Sequence, residues 1–381
     1  MPKSHNSIIK TVNFSYWELN HYFKTYDLIV IGSGIVGLST AISFIEKNNK
    51  ATVLVLERGI LPSGASTKNA GFACFGSPSE LLDDILKTNE ETVWQTVKMR
   101  WEGLNLLQKR LGKKNIDYKP YGGFELFDNE KLLDECTEKL TYLNKNIKKI
   151  IAKNNCYNNV STKINYFSNI KGVIKNNFEG QINTGLMMKN LILLAQKKGV
   201  IILNSVAVLQ LNDLGNVVEI NSNIGVFKSK KVVVATNGFA TQLLNIADVK
   251  PARAQVLITK PISNLKIKGA FHYQQGYYYF RNIDNRILFG GGRNLDFKGE
   301  TTTDLKLNTT IQTKLDEILK TIILPNTKFE VEHRWSGIMG VGSEKKPIVK
   351  AVSNNVIVAV RMGGMGVAIG SLVGKMAVEK M

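Results

Sequence analysis

Three glycines, Gly32, Gly34 and Gly37, fall in the stretch YDLIVIGSGIVG, and a carboxylate, Glu57, closes the run LVLE farther on. Glycine at these spacings suits a phosphate chemistry. The first allows a tight turn, the second lets backbone approach a pyrophosphate, and the third lets a helix close onto a strand. The helix that starts there would offer its amides and positive dipole end to the anion. Ser33, Ile35 and Val36 complete that turn. Glu57 stands where a carboxylate accepts hydrogen bonds from ribose hydroxyls and repels a 2′-phosphate. The pattern therefore points to an adenine dinucleotide other than NADP.

Downstream residues choose between the remaining dinucleotides. Arg58 opens RGILPSGASTKNAGFACFG, a small, hydroxyl-rich connection in which Ser66, Thr67, Lys68, Asn69 and Gly71 can follow a long ligand closely. At the far end, Met362, Gly363, Gly364, Met365, Gly366 and Val367 open a second helix in the same manner. Its positive end suits the pyrimidine side of a flavin, where negative charge develops on reduction. Two glycine-rich helix starts so far apart fit an extended FAD better than NAD.

These elements imply a frame. Residues 27–31 and 52–57 read as buried parallel strands around a helix over 35–47, and the pattern returns with a helix over 185–198 and the strand run KVVVATNGF. Helical spacing covers 78–112 and 308–321, with a lysine-rich helix near 129–153. Aromatic strands fill FHYQQGYYYFR and RILFGGG. The fold class expected is α/β: a Rossmann-type FAD-binding domain over 26–105, 171–250 and 332–381, plus an antiparallel-sheet α+β substrate domain over 106–170 and 251–331. Residues 1–25 form a polar, aromatic-tipped extension expected to dock on the surface.

GSGIVG, ER, GASTKNAG, the ATNG turn and the MGGMGVA helix together resemble the D-amino acid oxidase family of FAD-dependent oxidoreductases, from about Tyr26 to the C-terminus. Within it, YYYFRNIDNRILFGGG and HRWSGIMGVGSEKKPIV are most similar to the γ-glutamylputrescine oxidase branch. The resemblance implies non-covalent FAD contacted also by Val206, Ala235, Thr236, Asn237 and Gly337, with a substrate held over the flavin by the antiparallel sheet. It implies oxidation of a C–N bond to an imine by hydride transfer to flavin N5, then reoxidation by O2 or another acceptor. Met339 stands near the place of a carboxylate-binding arginine in glycine oxidase-like members, and Met365 replaces a histidine. Lys68 stands where some relatives link flavin covalently.

Tyr277 and Tyr279 share one face of a strand and Tyr278 and Phe280 the other, so the first pair is expected over the flavin. Arg281 and Arg334 are the candidates for an acidic group or flavin edge, since the guanidinium fork suits carboxylates. Lys260, His333 and Cys74 have bland readings as an exposed lysine, a structural histidine and an inert thiol. The four histidines and three cysteines show no metal spacing. The formal charge of +19 comes from scattered Lys/Asn-rich stretches without a basic, aromatic-laced patch, which argues against nucleic acid as partner. With 44% hydrophobic and 21% charged residues the chain reads as globular, and its unpaired cysteines suit a reducing cytoplasm. The rival readings are a flavin dehydrogenase of a hydroxyl substrate such as glycerol 3-phosphate, a tRNA-modifying flavoprotein and a non-catalytic flavin binder.

Overall fold

The computed structural model describes residues 12–164 and 166–381; His5 lies outside them. Continuous apolar runs such as VLVL (Val53–Leu56) and VIVAV (Val356–Val360) are buried on both faces, as parallel strands between helical layers must be. The first sheet runs Ile348–Ala351, Val356–Val360, Gly225–Val234, Thr25–Ile31, Val53–Leu56, Ile201–Leu203. All neighbours are parallel except the first pair, and a meander of Val208–Asp213 and Val218–Ser222 folds back on Gly225–Val234. Helices Ile35–Lys47, Thr184–Lys197 and Gly366–Glu379 supply the core on one face. The last of these packs tightly on Ile35–Lys47 because Gly374 has no side chain. A Cβ there would lie 2.7 Å from Thr40 N and Val36 O.

The second sheet runs Val331–Val341, Lys250–Thr259, Arg286–Gly291, Tyr278–Ile283, Ala270–Tyr273, Gly123–Phe127, Gly172–Asn176, Tyr157–Asn159. It is antiparallel apart from the pairing of Ala270–Tyr273 with Gly123–Phe127. Phe271, Phe280 and Phe289 on one face meet Ile311 and Leu315 of helix Thr309–Ile318. The opposite face, with Val256, Tyr279 and Trp335, turns toward Ala70 and Phe72 of the first half. Side-chain alternation along the strands thus divides support from site.

Several boundaries differ from those expected. Val331–Val341 and Gly172–Asn176 belong to the second sheet, not to the dinucleotide half, because long-range pairing with Lys250–Thr259 and Gly123–Phe127 decides their place. The helix expected over 78–112 is two, Pro78–Lys87 and Glu90–Leu111, restarted by the Asn89 cap; that near 129–153 also divides, at Lys139. The helix at 308–321 is Thr309–Ile318 with a wider turn, Leu319–Ile323. The described part of the extension, from Val12, docks through Phe23, stacked on Phe227 at 4.6 Å with Phe14 beside it, while Tyr16 and Trp17 stay exposed; residues 1–11 lie outside the described residues. Among the described residues, no helix is long and apolar enough to cross a membrane.

Candidate active site

A cavity of about 990 Å³ runs between the two sheets from Gly32 and Glu57 to His272 and Tyr279. At its first end Gly32 has φ +102°, and a Cβ there would lie 2.9 Å from Ala235 O. Gly37 stands behind the lining: its missing Cβ would fall 1.9 Å from Gly32 O, so only glycine lets the turn close onto the helix. Ser33 is likewise not a lining residue. Its N and Oγ donate to Glu57 Oε2 at 3.1 and 2.7 Å, and Gly59 N donates to Oε1 at 2.9 Å. Ser33 therefore orients the carboxylate that faces the cavity.

The hydroxyl-rich connection divides in the same way. Ser66 lines the cavity and its Oγ accepts from Ile35 N at 3.0 Å, tying the loop to the helix start. Thr67 turns away, donating to Pro62 O at 2.7 Å. Lys68, Asn69 and Gly71 line the cavity, and Trp335 Nε1 donates to Lys68 O at 3.0 Å, joining this loop to the second sheet. Arg58 lies over the Phe239 ring at 3.8 Å. Ile35, Val36, Val206, Ala235, Thr236, Asn237, Gly337 and Met362 to Val367 also line the cavity.

The donor set fits FAD. Gly34 and Met365, which precede the helices starting at Ile35 and Gly366, make no side-chain cap; Ile35 N is taken by Ser66 Oγ, and the amides of Val36 and Gly366 have no partner among the described residues. Thr236 Oγ1 is buried in the wall with no partner among the described residues, and Glu57 lines the end where a ribose would lie. Gly363 and Gly364, with φ +55° and +84°, keep the far turn free of side chains.

The model of the FAD-dependent oxidoreductase family (DAO) matches residues 27–380. The chain belongs to this family. It is an oxidoreductase whose cofactor is FAD. It is 25% identical over 378 residues to the gamma-glutamylputrescine oxidoreductase of Escherichia coli K12, covering 93% of this chain and 83% of that one. A probable oxidoreductase of Haemophilus influenzae is 23% identical over 377 residues, covering 93% and 82%. The L-proline dehydrogenase of P. horikoshii shares the fold with a TM-score of 0.74 at 18% identity, covering 93% of each chain.

At the other end of this flavoenzyme's cavity, Tyr277 and Tyr279 line the wall while Tyr278 is core. Tyr279 meets Phe72 edge-on at 5.7 Å, and burial pushes its hydroxyl up to about 12. Neither arginine expected here reaches the cavity. Arg281 is buried beneath the 64–71 loop, where its Nε donates to Ala70 O; burial pulls it down to about 10, and no carboxylate pairs with it among the described residues. Arg334 lies on the opposite sheet face, gripping Asp316 at 2.7 and 2.9 Å and Gln312 Oε1 at 2.7 Å. Alternation explains this, since neighbouring Trp335 takes the cavity-side direction. Lys260 pairs with Glu330 at the surface, and exposed His333 stacks on Trp335. Met339 lines the cavity as a neutral group.

Sequence reading missed the ionic wall. Lys345 Nζ reaches Glu80 Oε1 at 2.9 Å and Asp84 Oδ2 at 2.8 Å, with Arg100 Nη2 3.6 Å from Glu80. Burial pushes the Glu80 carboxyl up, but the Lys345 and Arg100 cations outweigh it and hold it at about 2. Below this wall, burial pushes Glu125 and Glu179 up to about 7. Glu179 Oε1 accepts from Phe75 N at 2.7 Å and Gly76 N at 3.0 Å, and Glu125 takes Ser79 N at 3.0 Å. Cys74, Glu179 and His272 place ligand-type atoms within 4.8 Å of one another. Burial holds the Cys74 thiol well above its ordinary value, which disfavours the thiolate a metal would need. No local motif marks these residues, because they come from segments as distant as Glu80 and Lys345.

Proposed function

We propose that the enzyme oxidises the C–N bond of an amine or amino acid to an imine that water then hydrolyses. One observation carries the reading: the cavity is continuous from the pyrophosphate-type turn to a chamber under Tyr277, Tyr279, His272 and Met339. The name of the Escherichia coli relative, a gamma-glutamylputrescine oxidoreductase, supports an amine substrate. FAD, when bound, supplies the two-electron acceptor at flavin N5 for a hydride from the carbon bearing nitrogen.

The chain's own residues bind, position and exclude water. Glu57, held by Ser33 and Gly59, would accept from ribose hydroxyls, and the helix starts at Val36 and Gly366 would offer backbone amides to the cofactor's anionic groups. Tyr279 and Phe72 form an apolar wall that disfavours an ammonium and so favours the neutral, oxidisable amine. Burial holds His272 below its ordinary value, so it is neutral at the chamber wall and adds no opposing charge. The Glu80, Asp84, Arg100 and Lys345 charges balance one another, fixing the wall without biasing its field. Turnover closes with O2 or another acceptor.

The test is anaerobic. The FAD-loaded enzyme is mixed with a panel of primary and secondary amines, amino acids and polyols while flavin absorbance is followed. Bleaching by members of the amine and amino-acid set is expected. Bleaching by glycerol 3-phosphate or another polyol alone would replace the reading with hydroxyl oxidation.

A further inference from the structure

Arg293 is a cavity-lining cation that the cofactor reading leaves unused. It follows Gly292, whose φ of +75° turns the chain sharply out of strand Arg286–Gly291. Its Nε is buried without a hydrogen-bond partner among the described residues, and its guanidinium lies over the Phe297 ring at 4.9 Å. Phe297 in turn packs edge-on against Tyr277, which shares the same stretch of wall.

The acids near Arg293 are committed elsewhere. Glu300 Oε1 and Oε2 take Arg253 Nη2 and Nε at 2.7 and 2.9 Å, with Gln255 and Asn308 on the remaining lone pairs. Asp296 accepts from Gly299 N and Asn308 Nδ2. Among the other cavity cations, Arg100 and Lys345 pair with Glu80 and Asp84, Lys87 pairs with Asp83 at 2.6 Å, and exposed Arg58 lies over the Phe239 ring at the Glu57 end. Lys68 belongs to the cofactor loop, and Lys346 is exposed. Burial of Nε, with no counter-ion on the guanidinium among the described residues, costs hydration that an anion in the cavity would offset. Stacking on Phe297 holds its plane still, which favours a planar, two-oxygen partner.

We propose that Arg293 is the specificity-determining residue that binds a carboxylate of the substrate, making the preferred substrates amino acids rather than simple amines. The inference rests on the amine-oxidation reading. It assigns the anion contact to the turn after strand Arg286–Gly291, on a different part of the wall from neutral Met339.

The experiment uses the FAD-loaded full chain with Arg293→Gln and Arg293→Lys, each checked for flavin content and melting temperature. Butyrate and butylamine are titrated separately, following the flavin absorbance. Butyrate is expected to bind the parent and to bind R293Q about tenfold or more weakly, the scale of a lost charge-assisted hydrogen bond, with R293K between them. In anaerobic turnover, 4-(methylamino)butyrate, 3-(methylamino)propionate and N-methylglycine are compared with N-methylbutylamine. The kcat/KM preference for the best carboxylate over the neutral amine should fall by a similar factor in R293Q, mainly through KM. An unchanged preference, or butyrate binding that is absent from the parent or equal in R293Q, overturns the assignment. If no amine bleaches the parent flavin, the amine reading falls while the butyrate titration still decides the role of Arg293.

Discussion

Two carboxyls beneath the chamber should make this enzyme lose stability as pH rises toward neutrality. Glu125 and Glu179 are pushed by burial from an ordinary 4.5 up to about 7. A raised folded-state value means that the folded chain holds the proton more tightly than the unfolded chain. The contribution is therefore complete below about 4.5 and is lost as pH rises through about 7. At about 1.4 kcal/mol per pH unit, each group accounts for about 3 kcal/mol across that window. His272 acts in the opposite sense. Burial lowers it, so its contribution is complete above about 6.5 and is lost as pH falls. Comparing a variant with the parent cancels such terms.

Glu179→Gln keeps an oxygen for Phe75 N and Gly76 N while removing the titration. Urea unfolding of both proteins from pH 5 to 8, at one fixed excess of FAD, measures the difference. The variant should gain about 2–3 kcal/mol relative to the parent between those limits, because the parent alone pays to bury a charge at high pH. Its flavin spectrum should be retained, since Glu179 supports the Cys74–Gly76 floor and does not touch the cofactor turn. A stability difference that stays constant with pH would refute the reasoning, as it would mean that Glu179 ionises at its ordinary value in the folded chain.

Gly37→Ala places a Cβ 1.9 Å from Gly32 O, so the turn must open and the protein should purify without yellow colour; absorbance of the purified chain checks this. Arg281→Met removes the donor to Ala70 O under the cofactor loop. FAD affinity should fall about tenfold, measured by recovery of flavin fluorescence on dilution, with substrate KM little changed. Arg334→Ala, on the far sheet face, should cost at most about 1 kcal/mol in urea unfolding and leave kcat/KM with the best substrate of the panel within twofold, because its Asp316 pair is partly exposed.

The glycine turn and the cofactor's identity were legible because their signal is local. Gly32, Gly34 and Gly37 must occur at fixed spacing wherever a strand turns into a helix around a pyrophosphate, and Glu57 must end the next strand. That requirement is written in one short stretch, and the MGGMGV turn repeats it at the other end of the chain. Strand alternation likewise predicts Tyr277 and Tyr279 on one face and Tyr278 in the core.

What tertiary structure alone decided is which charged groups reach the chamber. Arg281 and Arg334 have the right residue type but face Ala70 O and Asp316, because loop packing and the register of Val331–Val341 choose their direction. Glu80, Arg100, Lys345 and Arg293 carry no local pattern, yet helix Pro78–Lys87, helix Glu90–Leu111, the 342–347 loop and the Gly292 turn bring them to one cavity. Sequence alone determined the cofactor and the family, since short spacing rules encode a dinucleotide turn. The far end of the cavity is built from long-range strand pairing, and side-chain direction across such pairings exists only once the chain has folded.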